Sequence, residues 1–149
     1  MTRREAAEGY FEAGYNCSQA VVLAFADMTD VDKESMLKLA SSFGGGMGRL
    51  REVCGAVSGM FMICGLLYGC DEAKSPDKAE HYKRIQELAK RFETETGSII
   101  CRTILGLPDG KDDYKPSERT PQYYKKRPCK TMVGIAAEIL EEFIQEQKK

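Results

Sequence analysis

Charge is missing from one long stretch of this 149-residue sequence: between Glu52 and Asp71 no residue carries any. Histidine is almost missing too, with His81 the single example, and tryptophan is absent, which bears on nothing. A net charge of −1, from 22 basic and 23 acidic residues, leaves no excess of either sign. Balance of that kind speaks against a dedicated nucleic-acid binder, whose affinity comes mainly from basic residues meeting phosphates. It speaks equally against a polybasic membrane anchor. The chain has six cysteines but no C-x-x-C pair, and no C-x-x-C-H, so a covalently bound c-type haem is excluded. G-x-x-x-x-G-K-[ST], H-E-x-x-H and G-x-S-x-G are absent as well. No stretch alternates apolar and polar residues in the manner of a strand.

What is present reads as helices. Ala6, Ala7, Tyr10 and Phe11 recur at helical spacing between Thr2 and Ala13, and Gly14 is a plausible stop. Asn16 is an N-cap candidate opening a second helix at Cys17. A third is expected from Asp32 to Ser42. Phe43–Gly48, "FGGGMG", is the glycine cluster and reads as a loop. Ser75-Pro76-Asp77 starts a helix with Ala79, Tyr82, Ile85, Leu88, Ala89 and Phe92 as its apolar stripe. A short helical piece follows Gly97-Ser98. Leu107 to Arg127 is turn-rich, with Pro108, Pro116 and Pro121. The last helix is expected from Pro128 towards Gln145, with Ile135, Ile139 and Phe143 on its apolar face.

The charge-free stretch, Val53 to Cys70, would rise roughly 27 Å as a helix, just short of the ~30 Å hydrocarbon layer of a bilayer. Gly55, Ser58, Gly59, Gly65 and Gly69 dilute its hydrophobicity, so a buried helix is the better reading. Gly55 and Gly59, four residues apart, suit a tight contact with another helix. The expected fold is therefore all-α: one domain over residues 1–149, a bundle of about six helices around a buried central helix, Val53–Gly69. The N-terminus has charge but no following apolar run, unlike a signal peptide. The expectation is a cytoplasmic protein, free of membrane and nucleic acid, whose thiols are kept reduced. Apolar faces on several helices would allow a homodimer, though no sequence feature demonstrates one.

The cysteines divide by position. Cys17, Cys54, Cys101 and Cys129 all fall at expected helix starts, where free N–H groups and the helix dipole favour a thiolate. Arg49, Arg51, Arg102, Lys126, Arg127 and Lys130 lie near them along the chain and could add to the effect. Cys64 lies inside "FMICGLL" and reads as a small core hydrophobe, and Cys70, at a helix C-terminus, as incidental. Spacing alone matches no zinc-finger or ferredoxin pattern, and unrelated thiols remain an alternative to one shared site.

Several stretches together resemble the C_GCAxxG_C_C family of putative redox-active proteins. They are Gly9-Tyr-Phe-Glu-Ala-Gly-Tyr-Asn-Cys17-Ser-Gln-Ala, Phe43-Gly-Gly-Gly-Met-Gly-Arg49, Cys54-Gly-Ala-Val-Ser-Gly59, Gly97-Ser-Ile-Ile-Cys101-Arg and the lone Cys129. The likeness departs at Leu50-Arg51-Glu52, where a smaller or glycine-containing linker is expected. The resemblance implies an α-helical domain, a redox role, and Cys17, Cys54, Cys101 and Cys129 as the characteristic four cysteines.

Three chemistries compete. Four thiolates at Cys17, Cys54, Cys101 and Cys129 would suit an iron–sulfur cluster or another metal for electron transfer, the preferred expectation. Gly44, Gly45, Gly46, Arg49 and Gly55 would then approach the cofactor. Alternatively Cys54 would be an attacking thiol and Cys17, Cys101 or Cys129 its resolving partner, with no cofactor. The third is a non-catalytic module with structural zinc. The redox partner protein is unspecified by any of them. His81 is expected on a solvated helix face, and Tyr123-Tyr-Lys-Lys-Arg127 in a solvated loop.

Overall fold

The computed structural model describes residues 1–107 and 112–149, without the side chain of Lys126. The expectations that involve Pro108 and that side chain lie outside the described residues. Helices α1 (Arg3–Glu12), α2 (Cys17–Ala24) and α3 (Lys33–Ala40) open the chain, and a four-residue turn α4 (Gly44–Met47) follows. Next come α5 (Gly55–Tyr68), α6 (Lys78–Thr96), α7 (Cys101–Leu105), α8 (Pro121–Lys126) and α9 (Cys129–Gln147). The protein is all-α, with no strands among the described residues, only an isolated antiparallel bridge from Val53 to Ile100. No described helix is long and apolar enough to cross a membrane.

Local chemistry sets the helix starts. Thr2 and Glu5 form a capping box on α1, and Asn16 and Gln19 form another on α2. The Asp32 carboxylate accepts from the Ser35 amide to start α3. The central helix α5 has the place expected of it, with Ala56, Val57, Met60, Ile63 and Cys64 wholly buried. α9 buries Val133, Ala136, Ala137, Leu140 and Ile144, and packs on α1, which contributes Ala7 and Phe11.

Gly55 and Gly59 do bring a second helix close, and that helix is α2. A Cβ on Gly59 would stand 2.8 Å from the Ser18 carbonyl oxygen. One on Gly55 would stand 2.7 Å from the Phe43 carbonyl oxygen and 3.1 Å from Cys17 Cβ. Side chains there would wedge the helices apart, so the small residues fix the spacing that sets Cys17 beside the start of α5.

Four readings need correction. The stripe on α6 is buried only at Leu88 and Phe92; Tyr82 is exposed, because the first turns of α6 extend beyond the core. Pro76 lies outside that helix, whose N-cap is Asp77. His81 is half-buried rather than solvated, with a buried Nδ1 that finds no partner among the described residues. Pro121 opens a helix, α8, inside the stretch read as turns, with Thr120 accepting from the Tyr123 amide at 3.1 Å.

Candidate redox site

The glycine cluster is not a plain loop. Gly45, Gly46, Met47, Gly48 and Arg49 all have φ between 65° and 70°, and Arg51 follows at 61°. Five successive residues in this region make a left-handed turn. Each non-glycine in it is disfavoured by roughly 1–2 kcal/mol. Tertiary bonds hold it. The amides of Arg51 and Glu52 donate to the carbonyls of Gly45 and Gly46 at 3.3 and 3.0 Å. A Cβ on Gly46 would meet Cys101 Cβ at 2.6 Å and the Arg51 backbone at 2.9 Å, so only glycine lets these two approach.

Past the turn, the chain zips to the segment before α7. The Cys54 amide donates to the Ile99 carbonyl at 2.7 Å, and the Cys101 amide to the Glu52 carbonyl at 2.6 Å. This two-stranded contact sets Cys101 alongside Cys54, although 47 positions separate them in the chain.

The segment from 112 to 127 then straps over the same place. At its near end Asp112 accepts from both Arg49 (3.1 Å) and Arg51 (3.0 Å). Arg49 also donates to the Asp113 carbonyl and to Ser117. At its far end Arg119 lies over the Phe11 ring at 4.0 Å and donates to the carbonyls of Phe11 and Tyr15. The strap delivers Cys129, the first residue of α9.

The result is a cavity of about 270 Å³ lined by Cys17, Cys54, Cys101 and Cys129 together. Gly44, Gly45, Gly46, Arg49 and Gly55 line it too. Cys64 is buried in the core away from the cavity, and Cys70 is exposed. Of the other cations considered in the sequence, Arg51 and Arg127 line it, whereas Lys130 pairs with Glu12.

The four thiols are not alike. The neighbouring Cys129 sulfur, together with burial, holds Cys17 well above the ordinary thiol value. Cys129 is lowered to about 6, by the Cys17 thiol first and then by Tyr123, Arg127 and Arg51, against the opposing effect of burial. Burial pushes Cys54 up to about 12, outweighing the lowering influence of the nearby Ala56 and Val57 amides. Cys101 is raised by burial, and Arg51, which donates to it at 3.6 Å, offsets only part of this. A helix start therefore does not acidify all four. Where the sulfur is deeply buried, desolvation exceeds the dipole.

Tyr123 and Arg119 escaped the sequence reading. Tyr123 sits against the Cys129 sulfur and lines the cavity instead of lying in a solvated loop. The Thr120-Pro121 pair, an N-cap followed by proline at N1, was the signal for the helix that carries it. Four thiols are a soft donor set of the kind that holds zinc or iron–sulfur clusters. As arranged, no three Cys, His, Asp or Glu side chains among the described residues are set to hold a metal ion.

Fold and site together define a class: helical proteins in which four helix-start cysteines share one arginine-rich cavity. The sequence model of the family described as "Putative redox-active protein (C_GCAxxG_C_C)" matches residues 15–143, and the chain belongs to that family. No curated protein and no solved structure matches it.

Proposed function

We propose that the protein is a cofactor-free dithiol redox protein in which Cys17 and Cys129 cycle between two thiols and one disulfide. The observation that carries the reading is that both sulfurs line one cavity and that each is the largest single influence on the other's proton. The other two sulfurs stand differently: Cys54 is buried at the start of α5, and Cys101 accepts from the guanidinium of Arg51. Cys129 is the attacking thiolate and Cys17 the resolving thiol. Tyr123 and Arg127 hold the negative charge on Cys129 before attack. Cys54, the attacker expected from the sequence, is too strongly held as a thiol for that part.

A second reading has Cys17, Cys54, Cys101 and Cys129 hold an iron–sulfur cluster, another metal or a structural zinc. Convergence of four thiols on one cavity favours it, and N–H donors beside the sulfurs would suit bound thiolates.

Anaerobic purification, metal and sulfide analysis and a visible spectrum separate the two. The dithiol reading expects colourless, metal-free protein. On mild oxidation, peptide mapping should find a Cys17–Cys129 disulfide and no other. Stoichiometric iron with sulfide, or stoichiometric zinc, would overturn it.

A further inference from the structure

We propose that the cavity over Cys17 and Cys129 selects a small anionic disulfide as the oxidant of this dithiol, with its carboxylate seated on Arg51 and Arg127. The chemistry rests on the dithiol reading; the anion binding does not.

Charge is the first observation. The chain is nearly neutral, yet the described lining of this cavity holds Arg49, Arg51, Arg119 and Arg127 and no carboxylate. Two of these cations have settled partners. Arg49 is held by Asp112 and Ser117, and Arg119 by two carbonyls and the Phe11 ring. Arg127 has only the face of Tyr123, 5.8 Å away, and no ion pair among the described residues. Its charge reaches both Cys129 and Cys101.

Arg51 is the second and independent observation. Its residue is 3% exposed, and Nη1 and Nη2 are taken by Cys101 and Asp112. The buried Nε–H has no partner among the described residues. A buried donor on a cation without an acceptor is costly, and an incoming anion would relieve that cost. The first turn of α9, whose amides no side chain caps, opens at the same cavity.

Shape sets the size of the ligand. The strap crosses the cavity with Tyr114, Pro116 and Tyr123 in its lining, leaving about 270 Å³, room for a small molecule rather than a protein loop. A carboxylate held by Arg51 and Arg127 leaves the rest of the ligand beside the Cys17–Cys129 pair.

The step then balances. The Cys129 thiolate attacks one sulfur of R–S–S–R; the Cys129–S–R bond forms and RS⁻ leaves. That thiolate takes the proton of Cys17. The Cys17 thiolate attacks the Cys129 sulfur, the protein disulfide forms, and the second RS⁻ departs. Two electrons pass from the protein thiols to the ligand, giving RSH and RS⁻.

The test uses reduced full-length protein and two matched probes, dithiodiglycolate with two carboxylates and neutral bis(2-hydroxyethyl) disulfide. Their rate ratio is divided by the same ratio for free N-acetylcysteine amide, a thiol with no carboxylate, at the same pH. The expected preference for the anionic probe is about tenfold or more, the scale of electrostatic focusing in a cleft. It should fall towards one in Arg127→Gln and in Arg51→Lys, the ratio cancelling any change in Cys129 reactivity that is common to both probes. Equal normalised rates in the unsubstituted protein, or a preference untouched by both substitutions, would overturn the anion site and leave the dithiol reading intact. Calorimetry of dithiodiglycolate on Cys129→Ser reads binding without chemistry. Binding there, with no disulfide formed in the unsubstituted protein, would support the anion site and sink the dithiol reading.

Discussion

Arg51 donates through Nη1 to the sulfur of Cys101 at 3.6 Å, while its Nη2 donates to Asp112 at 3.0 Å. One buried side chain thereby joins the left-handed turn, the start of α7 and the strap. Arg51 sits where the family likeness had suggested a smaller linker, and its φ of 61° is part of how it turns inward. The local strain and the buried guanidinium are both held by the tertiary bonds around them.

Substitution of the cysteines should separate site from core. Cys17→Ser and Cys129→Ser are each expected to abolish formation of the intramolecular disulfide, read by thiol titration after mild oxidation. Cys64→Ala should leave that reaction unchanged and lower stability by about 1 kcal/mol, read by denaturant unfolding, since it removes one buried atom from a packed helix. Equal redox loss in all three would refute the assignment.

The reactivity of Cys129 should depend on pH in a particular direction. Its pKa is depressed to about 6, so the thiolate persists well below the ordinary thiol range and is lost as pH falls through about 6. Iodoacetamide labelling of the Cys129 peptide, followed by mass spectrometry, should show its midpoint there. Tyr123→Phe removes a donor to the thiolate and should move the midpoint upward. A midpoint in the ordinary thiol range, insensitive to Tyr123, would count against the pairing.

Two glycines should respond oppositely to alanine. Gly46→Ala places a Cβ against Cys101 and the Arg51 backbone at a φ of 70°, and should cost about 2–4 kcal/mol. Gly9, inside α1, has nothing within 4 Å of a built Cβ, so Gly9→Ala should stabilise by about 0.5–1 kcal/mol through helix propensity. Denaturant titrations of both variants check the signs.

Arg119→Ala should free one end of the strap. It loses the Phe11 ring contact and two bonds to carbonyls, an expected loss of about 1–3 kcal/mol. Hydrogen exchange should rise in α8 and the residues before it more than in α5. Uniform change across the chain would mean the strap is not held there.

Much of the scaffold was legible. α2 could be read from Asn16 and the apolar run after it, and α5 from its lack of charge, because capping and burial are written into neighbouring residues. The separation of Cys17, Cys54, Cys101 and Cys129 from Cys64 and Cys70 was legible for the same reason, with the family signature beside it. α8 was hidden by the turn-rich, charged stretch around it, and the left-handed sense of the Gly45–Arg49 turn by the fact that glycine permits either hand.

The acidity of each thiol could not be read along the chain. Position at a helix start is a local property, and it suggested thiolates at all four. Burial of Cys54, the nearness of Cys17 to Cys129 and the approach of Arg51 to Cys101 are properties of distance in space, and they decided otherwise. The sequence by itself determined where helices begin and which sulfurs stand there, since those depend on neighbours a few residues away. Which sulfur carries charge was decided only by the tertiary structure, since desolvation and Coulomb forces act between groups that the chain keeps far apart.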